Sequence, residues 1–116
     1  MENRTAAIRV IPGSTASQRI ECRAGGADAN PYLAGAAILG AALLGIREKL
    51  SPGKAIIGNA YEQEDSLPSE LKFPTSLGEA ADLFESSNQA RDLFGSDFVD
   101  HFVTVSYTHL TLPTKA

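Results

Sequence analysis

Residues 29–46 carry no charge, and this run constrains the fold more than any other part of the chain. Asn30 is a good N-cap and Pro31 suits a first helical position, so a helix is expected from about Pro31 to Leu50. Pro31 to Ile46 spans only about 24 Å at roughly 1.5 Å per residue, short of a hydrocarbon core about 30 Å thick. Two readings follow, a buried globular helix or a membrane helix, and the length favours the first. Ala37, Ala41 and Gly45 form a stripe of small residues at spacing four, which lets another element approach closely. A helix apolar on several sides needs cover on several sides. This chain of 116 residues offers few elements to supply it.

Upstream, Arg19-Ile20-Glu21-Cys22-Arg23 reads as a strand. Side chains alternate faces in a strand, so Arg19, Glu21 and Arg23 share one face and Ile20 and Cys22 the other. Carboxylate oxygens suit a hard divalent cation. Guanidinium forks suit phosphate or carboxylate. A solvated, salt-bridged strand would show the same pattern. Asn3 to Val10 is a second strand-like run with Arg4 and Arg9, and the turn-rich Ile11–Ser17 connection allows the two strands to pair in one sheet. On this arrangement Cys22 points away from the charged face, as a small core residue.

Charge is uneven. Residues 1–23 hold four arginines against two glutamates, while residues 24–104 hold five basic and twelve acidic residues. A positive patch on a chain of net charge −4 suggests a small anionic ligand and excludes the broad basic footprint of a nucleic-acid surface. Gly25-Gly26 has neither dinucleotide-fingerprint nor P-loop spacing. His101 and His109 form no metal-spaced cluster, and His101 reads as a surface or partly buried side chain. The single cysteine excludes an internal disulfide and fits a reducing compartment; no signal-peptide pattern opens the chain, so a cytoplasmic location is expected.

Farther along, Ser51–Lys54 reads as a loop and the stretch to Pro74 as irregular. Ser76 to Glu79 is a capping box for a helix to about Glu85, and Ser86 to Gln89 repeats the signature. Gly95 is a helix stop. Ser96 to Val103 is a last amphipathic helix, with Phe98 and Phe102 on one face.

The order Asn-Arg-Thr-x-x-Ile-Arg-Val (3–10), Arg-Ile-Glu-x-Arg (19–23), Ala-Asn-Pro-Tyr-Leu (29–33) resembles the C-terminal part of the glutamine synthetase catalytic domain. Residues 25–33 also resemble the related γ-glutamyl-amine (polyamine) ligases. The resemblance continues through Gly58–Tyr61, Leu67-Pro68, Leu77–Ala80 and Phe98–Phe102, covering roughly residues 3 to 103. It implies an α+β fold, with antiparallel strands of an incomplete barrel and packing helices. It implies an ATP-dependent glutamate–ammonia or glutamate–amine ligase acting through γ-glutamyl phosphate, with Mg2+ or Mn2+, in a double-ring homo-oligomer.

Residue by residue, Glu21 resembles a ligand of the metal at the ATP phosphates. Arg23 resembles the arginine holding glutamate and the transferring phosphoryl group. Arg4 and Arg9 resemble a phosphate-contacting pair, with Arg4 also near glutamate, and Arg19 resembles another nucleotide-side arginine. A non-catalytic anion-binding or structural module is the alternative reading of the same arginines. Two departures stand out. The family often has a basic residue before Arg-Ile-Glu, where this chain has Thr15–Gln18. Tyr61 lies near a position adenylylated in some bacterial members, but Glu62–Asp65 replaces the usual following residues, so a tyrosine packed at a loop is expected.

The resemblance also implies a His-x-His run, further metal glutamates and glutamate-binding residues upstream, without counterparts here. The chain is therefore expected to be an inactive fragment, residues 1–104 being the family segment and Met1 an internal methionine. Val105–Thr114 can be encoded by GTC TCT TAT ACA CAT CTG ACG CTG CCG ACG. That string resembles the transposon-end adapter of sequencing libraries, so residues 105–116 are expected to be a translated, functionless tail.

Overall fold

A computed structural model describes residues 3–112. Met1 and residues 113–116 of the expected tail lie outside the described residues. The fold is α+β and divides into two compact units, Met1–Leu67 and Pro68–Ala116.

The first unit begins with a hairpin of β1 (Ile8–Ile11) and β2 (Arg19–Cys22), antiparallel. Ser14 O accepts from both Ser17 N and Gln18 N and folds the connection. β1 is shorter than the expected run from Asn3. The side chains of Asn3 and Thr5 hydrogen-bond to residues 56–60 instead of extending the sheet edge. One ladder-like bond continues past the strand ends, from Arg23 N to Ala7 O.

The helix α1 (Pro31–Arg47) starts where the sequence places it. Asn30 Oδ1 accepts from Tyr32 N and Leu33 N at 3.0 and 3.3 Å. It stops three residues before Leu50. Lys49 takes φ 53°, its N–H reaches Ile46 O, and Leu50 N–H reaches Gly45 O. This is a Schellman turn with lysine where glycine is usual. No residue of α1 is buried, and Ile46 is 75% exposed. No helix among the described residues is long and apolar enough to cross a membrane. Beyond α1 the chain is less irregular than expected: Asn59 caps a 3-10 helix over Ala60–Ser66, and another spans Ser69–Leu71.

The second unit packs α2 (Leu77–Ser86), α3 (Asn88–Phe94) and α4 (Ser96–Thr111). Ala90, Val99 and Val103 form the core, with Phe84 and Phe94 half-buried against it, and Val99 is wholly buried. Phe84 meets Phe102 edge-on at 5.5 Å, and Phe98 stacks on Phe102 at 5.9 Å as the i, i+4 spacing requires. Such aromatic pairs add about 0.5–1.5 kcal/mol each beyond area burial. Arg91 joins the three helices, bonding Glu85 O and pairing with Asp100 at 2.9 Å.

Two boundaries differ from the sequence reading. The cap of α3 is Ser87, whose Oγ accepts from Ala90 N; Ser86 instead ends α2, donating to Asp82 O. α4 runs two turns past Val103. Residues 104–111 contain neither Gly nor Pro, and Thr104, Ser106 and Thr108 hydroxyls donate back to carbonyls four residues earlier. Leu112 turns extended, as a residue before proline does. Tyr107 donates to Asp82 Oδ1, an interaction that pushes its phenol pKa up.

At the start of α2, Ser76 Oγ accepts from Glu79 N, and Glu79 Oε2 accepts from Thr75 N and Thr75 Oγ1. The Thr75 N–H, then its hydroxyl, favours the ionised carboxyl and holds Glu79 below the ordinary 4.5. A depressed folded pKa means that the cap is favoured above the unfolded value and weakens as pH falls through the folded one. The Thr75 amide is therefore expected to stay protected at neutral pH and lose protection in acid, starting near 4.5. Hydrogen exchange at Thr75 measures this, and Glu79→Gln should flatten the pH dependence.

Candidate functional site: a charged hairpin face and an anchored arginine

The hairpin register decides which charges meet. Arg9 lies opposite Glu21, Ile11 opposite Arg19, Ile8 opposite Cys22 and Val10 opposite Ile20. Directly opposed residues share a face, so Arg9, Glu21, Ile11 and Arg19 line one side. Strand alternation adds Arg23 to that side. Arg9 grips Glu21 side-on: Nη2 donates to Oε1 at 3.2 Å and Nε lies 3.2 Å from Oε2. The Arg9 side chain is only 11% exposed and that of Glu21 36%. Pairing in a partly dry setting strengthens this contact.

The other arginines are more open. Arg19 is exposed, with Nη1 3.4 Å from Ser17 O. It borders a concavity of about 410 Å³ lined by Val10, Ile11, Pro12, Gln18 and Ile20. Arg23 is also exposed. Arg4 stands apart from the strands, on the run before β1. It lines a concavity of about 530 Å³ with Asn3, Thr5 and residues 55–59.

The opposite face of the hairpin corrects one expectation. Cys22 is exposed, not a core residue, and among the described residues nothing buries Ile8, Val10 or Ile20 on the same face, which are likewise exposed. Tyr61 is likewise 73% exposed instead of packed at its loop. It belongs to the 3-10 helix, and its N–H donates to the capping Asn59 Oδ1 at 3.1 Å.

Sequence reasoning assigned no role to Asn3 and Thr5, which the structure ties to a distant loop. Asn3 Nδ2 donates to Ile56 O and Gly58 O, both at 3.0 Å. Asn3 Oδ1 accepts from Thr5 N and Thr5 Oγ1, and Thr5 Oγ1 accepts from Ala60 N at 2.8 Å. The one signal in the sequence is two small polar residues flanking an arginine.

Among the described residues Glu21 is the one carboxylate on this face. Among the described residues no group of three or more His, Cys, Asp or Glu could hold a metal ion. One carboxylate, engaged by a guanidinium, is a partial ligand and not a metal site, since Mg2+ and Ca2+ ask for about six or more oxygens.

The family model for the glutamine synthetase catalytic domain matches residues 1–112. A glutamate–isopropylamine ligase of Pseudomonas is 44% identical over 101 residues, covering 87% of this chain and 22% of the relative. A type-1 glutamine synthetase of Dictyostelium discoideum is 44% identical over 105 residues, covering 89% and 20%. A γ-glutamylethanolamide synthetase of Streptomyces coelicolor is 39% identical over 109 residues, covering 94% and 22%. The chain belongs to the glutamine synthetase family. It spans about a fifth of the length of these relatives. The α+β arrangement is compatible with a segment of that family's catalytic domain.

Titrating Mn2+ into this chain is therefore expected to leave the amide signals of Arg9 and Glu21 without saturable broadening. Saturation at a stoichiometric metal concentration would contradict the single-ligand reading.

Proposed function

We propose that this chain is a segment of an ATP-dependent glutamate–ammonia or glutamate–amine ligase that works through γ-glutamyl phosphate. The observation that carries the reading is the charged hairpin face in a chain of this family: Arg9 locked onto Glu21, with Arg19 on the same side. In the proposed reaction a γ-carboxylate oxygen of glutamate attacks the γ-phosphorus of ATP and ADP leaves. The amine nitrogen then attacks the acyl carbon and phosphate leaves. Phosphoryl transfer asks for positioning and charge neutralisation more than covalent help. Arg4, Arg9 and Arg19 are assigned to ATP phosphates, and Arg4 and Arg23 to glutamate and the transferring group. Guanidinium forks suit both tasks, because they bind phosphate and carboxylate bidentately.

Glu21 is assigned as one oxygen ligand of Mg2+ or Mn2+, with the remaining ligands in parts of the enzyme beyond this chain. Bound there, the ion would neutralise phosphate charge. Relatives named for isopropylamine, ethanolamide and glutamine support ammonia or a small amine as acceptor. In the complete protein the barrel would cover α1 and the apolar hairpin face, within a cytoplasmic double-ring homo-oligomer. Residues 105–116 take no part. Their adapter origin would be overturned by a contiguous genomic match through those codons.

The complete enzyme is expected to release phosphate from ATP only with glutamate plus ammonia or an amine such as putrescine. Arg23→Ala should lower turnover by about 10³-fold or more, the scale of an arginine at a transferring phosphoryl group. Glu21→Ala should also collapse it, and this chain alone should show none. A folded complete protein that releases no phosphate with either acceptor would favour the non-catalytic anion-binding reading.

A further inference from the structure

Residues 56–59 form a connection that bends at Gly58, where φ is 88°, and its successive carbonyls are taken alternately by two carboxamides. Each carboxamide holds two of them. Asn3 Nδ2 takes Ile56 O and Gly58 O, both at 3.0 Å. Gln63 Nε2 takes Ile57 O at 2.8 Å and Asn59 O at 3.3 Å. The loop is therefore held by two carboxamides, one distant in sequence and one close.

The Asn3 side chain is saturated: both N–H groups donate, and Oδ1 accepts twice, from Thr5 N at 3.0 Å and from Thr5 Oγ1. Thr5 Oγ1 gives its proton to Asn3 and accepts from Ala60 N. A network with every donor and acceptor satisfied favours one geometry over its neighbours. Arg4 is the residue between its two anchors, and it lines the same concavity as both of them and the loop.

We propose that Asn3 and Thr5, backed by Gln63, are positioning residues that hold the Arg4 backbone against loop 56–60 so that its guanidinium meets the substrate in one orientation. This rests on the ligase reading of Arg4 given above. The clamp touches no reacting atom; it acts through Arg4. A displacement of about 1 Å in a positioned group can cost about 100-fold in rate, so a clamp of this kind has leverage without contact.

The test uses the complete ligase carrying this segment, with steady-state turnover, KM for glutamate and melting temperature measured for each variant. Thr5→Val keeps the side chain's size and removes both hydroxyl bonds; it should lower kcat by about 10- to 100-fold. Thr5→Ser, which keeps the hydroxyl, should restore the rate. Asn3→Asp keeps the acceptor and loses both donors, and should fall with Thr5→Val. The decisive comparison is Arg4→Ala with and without Thr5→Val. If the clamp acts through Arg4, the double variant is no slower than Arg4→Ala alone. Multiplicative losses, or Thr5→Val at full rate while Arg4→Ala collapses, would overturn the clamp and leave the ligase reading standing. Arg4→Ala at full rate would overturn the assignment of Arg4 and the clamp together.

Discussion

The Asn3 carboxamide reaches 53 residues along the chain to Ile56 O, and bonds of this type order the first unit. The buried side chains of the described residues, Ala81, Ala90, Val99 and Val103, all lie on α2, α3 and α4. Between residues 3 and 67 there is no apolar core to hold one segment against another. What fixes the run before β1 to the loop before the 3-10 helix is a set of directional bonds, each satisfied at both ends. Hydrogen bonds contribute only about 0.5–1.5 kcal/mol net apiece. Their value here lies in geometry: they allow one arrangement and penalise its neighbours.

The second unit is ordered by the opposite means. A wholly buried Val99, two small alanines and a run of four phenylalanine rings bring three helices together. Small residues let the helices approach, and the rings fill the space that remains at their edges. The caps sharpen the boundaries: Ser76 and Ser87 each take an orphan N–H, and Gly95, at φ 83°, turns the chain between α3 and α4. A non-glycine residue there would carry strain.

Much of this was legible in the residues, for local reasons. Asn30-Pro31 marks a helix start because cap and first-turn chemistry lie within four residues, and the period-two pattern of 19–23 marks a strand. The α1 stop was not legible, because Lys49 fills a left-handed position that sequence rules reserve for glycine. Ser86 and Ser87 compete for the same cap, and only the path of α2 decides between them. The facing of Arg9 and Glu21 could not be read either. The connection of residues 12–18 is too long for its length to fix a register, so the pairing of two expected site residues emerged only from the ladder. The clamp was hidden for a further reason: Asn3 and Thr5 are separated from their partners by more than fifty residues.

The register also explains how the charged face of the hairpin can order the two strands and still leave a carboxylate accessible. Arg9 Nη2 donates to Glu21 Oε1 while Nε lies 3.2 Å from Oε2 as a charge contact, and a carboxylate has roughly four lone-pair directions in all. Acceptor directions therefore remain on a side chain that is about a third exposed. The pair therefore neutralises Glu21 enough to keep it ordered between strands while leaving it able to accept from a second cationic group. Replacing Arg9 with an apolar residue would leave the carboxylate partly dry and without its opposite strand's charge. Replacing Glu21 would leave the largely buried guanidinium without this carboxylate. The charged face is thus self-supporting, whereas the Ile8, Val10, Ile20 and Cys22 face is not. That asymmetry, not the arginine count, distinguishes the two sides of the hairpin: one is paired within the chain, and the other leaves its apolar side chains exposed.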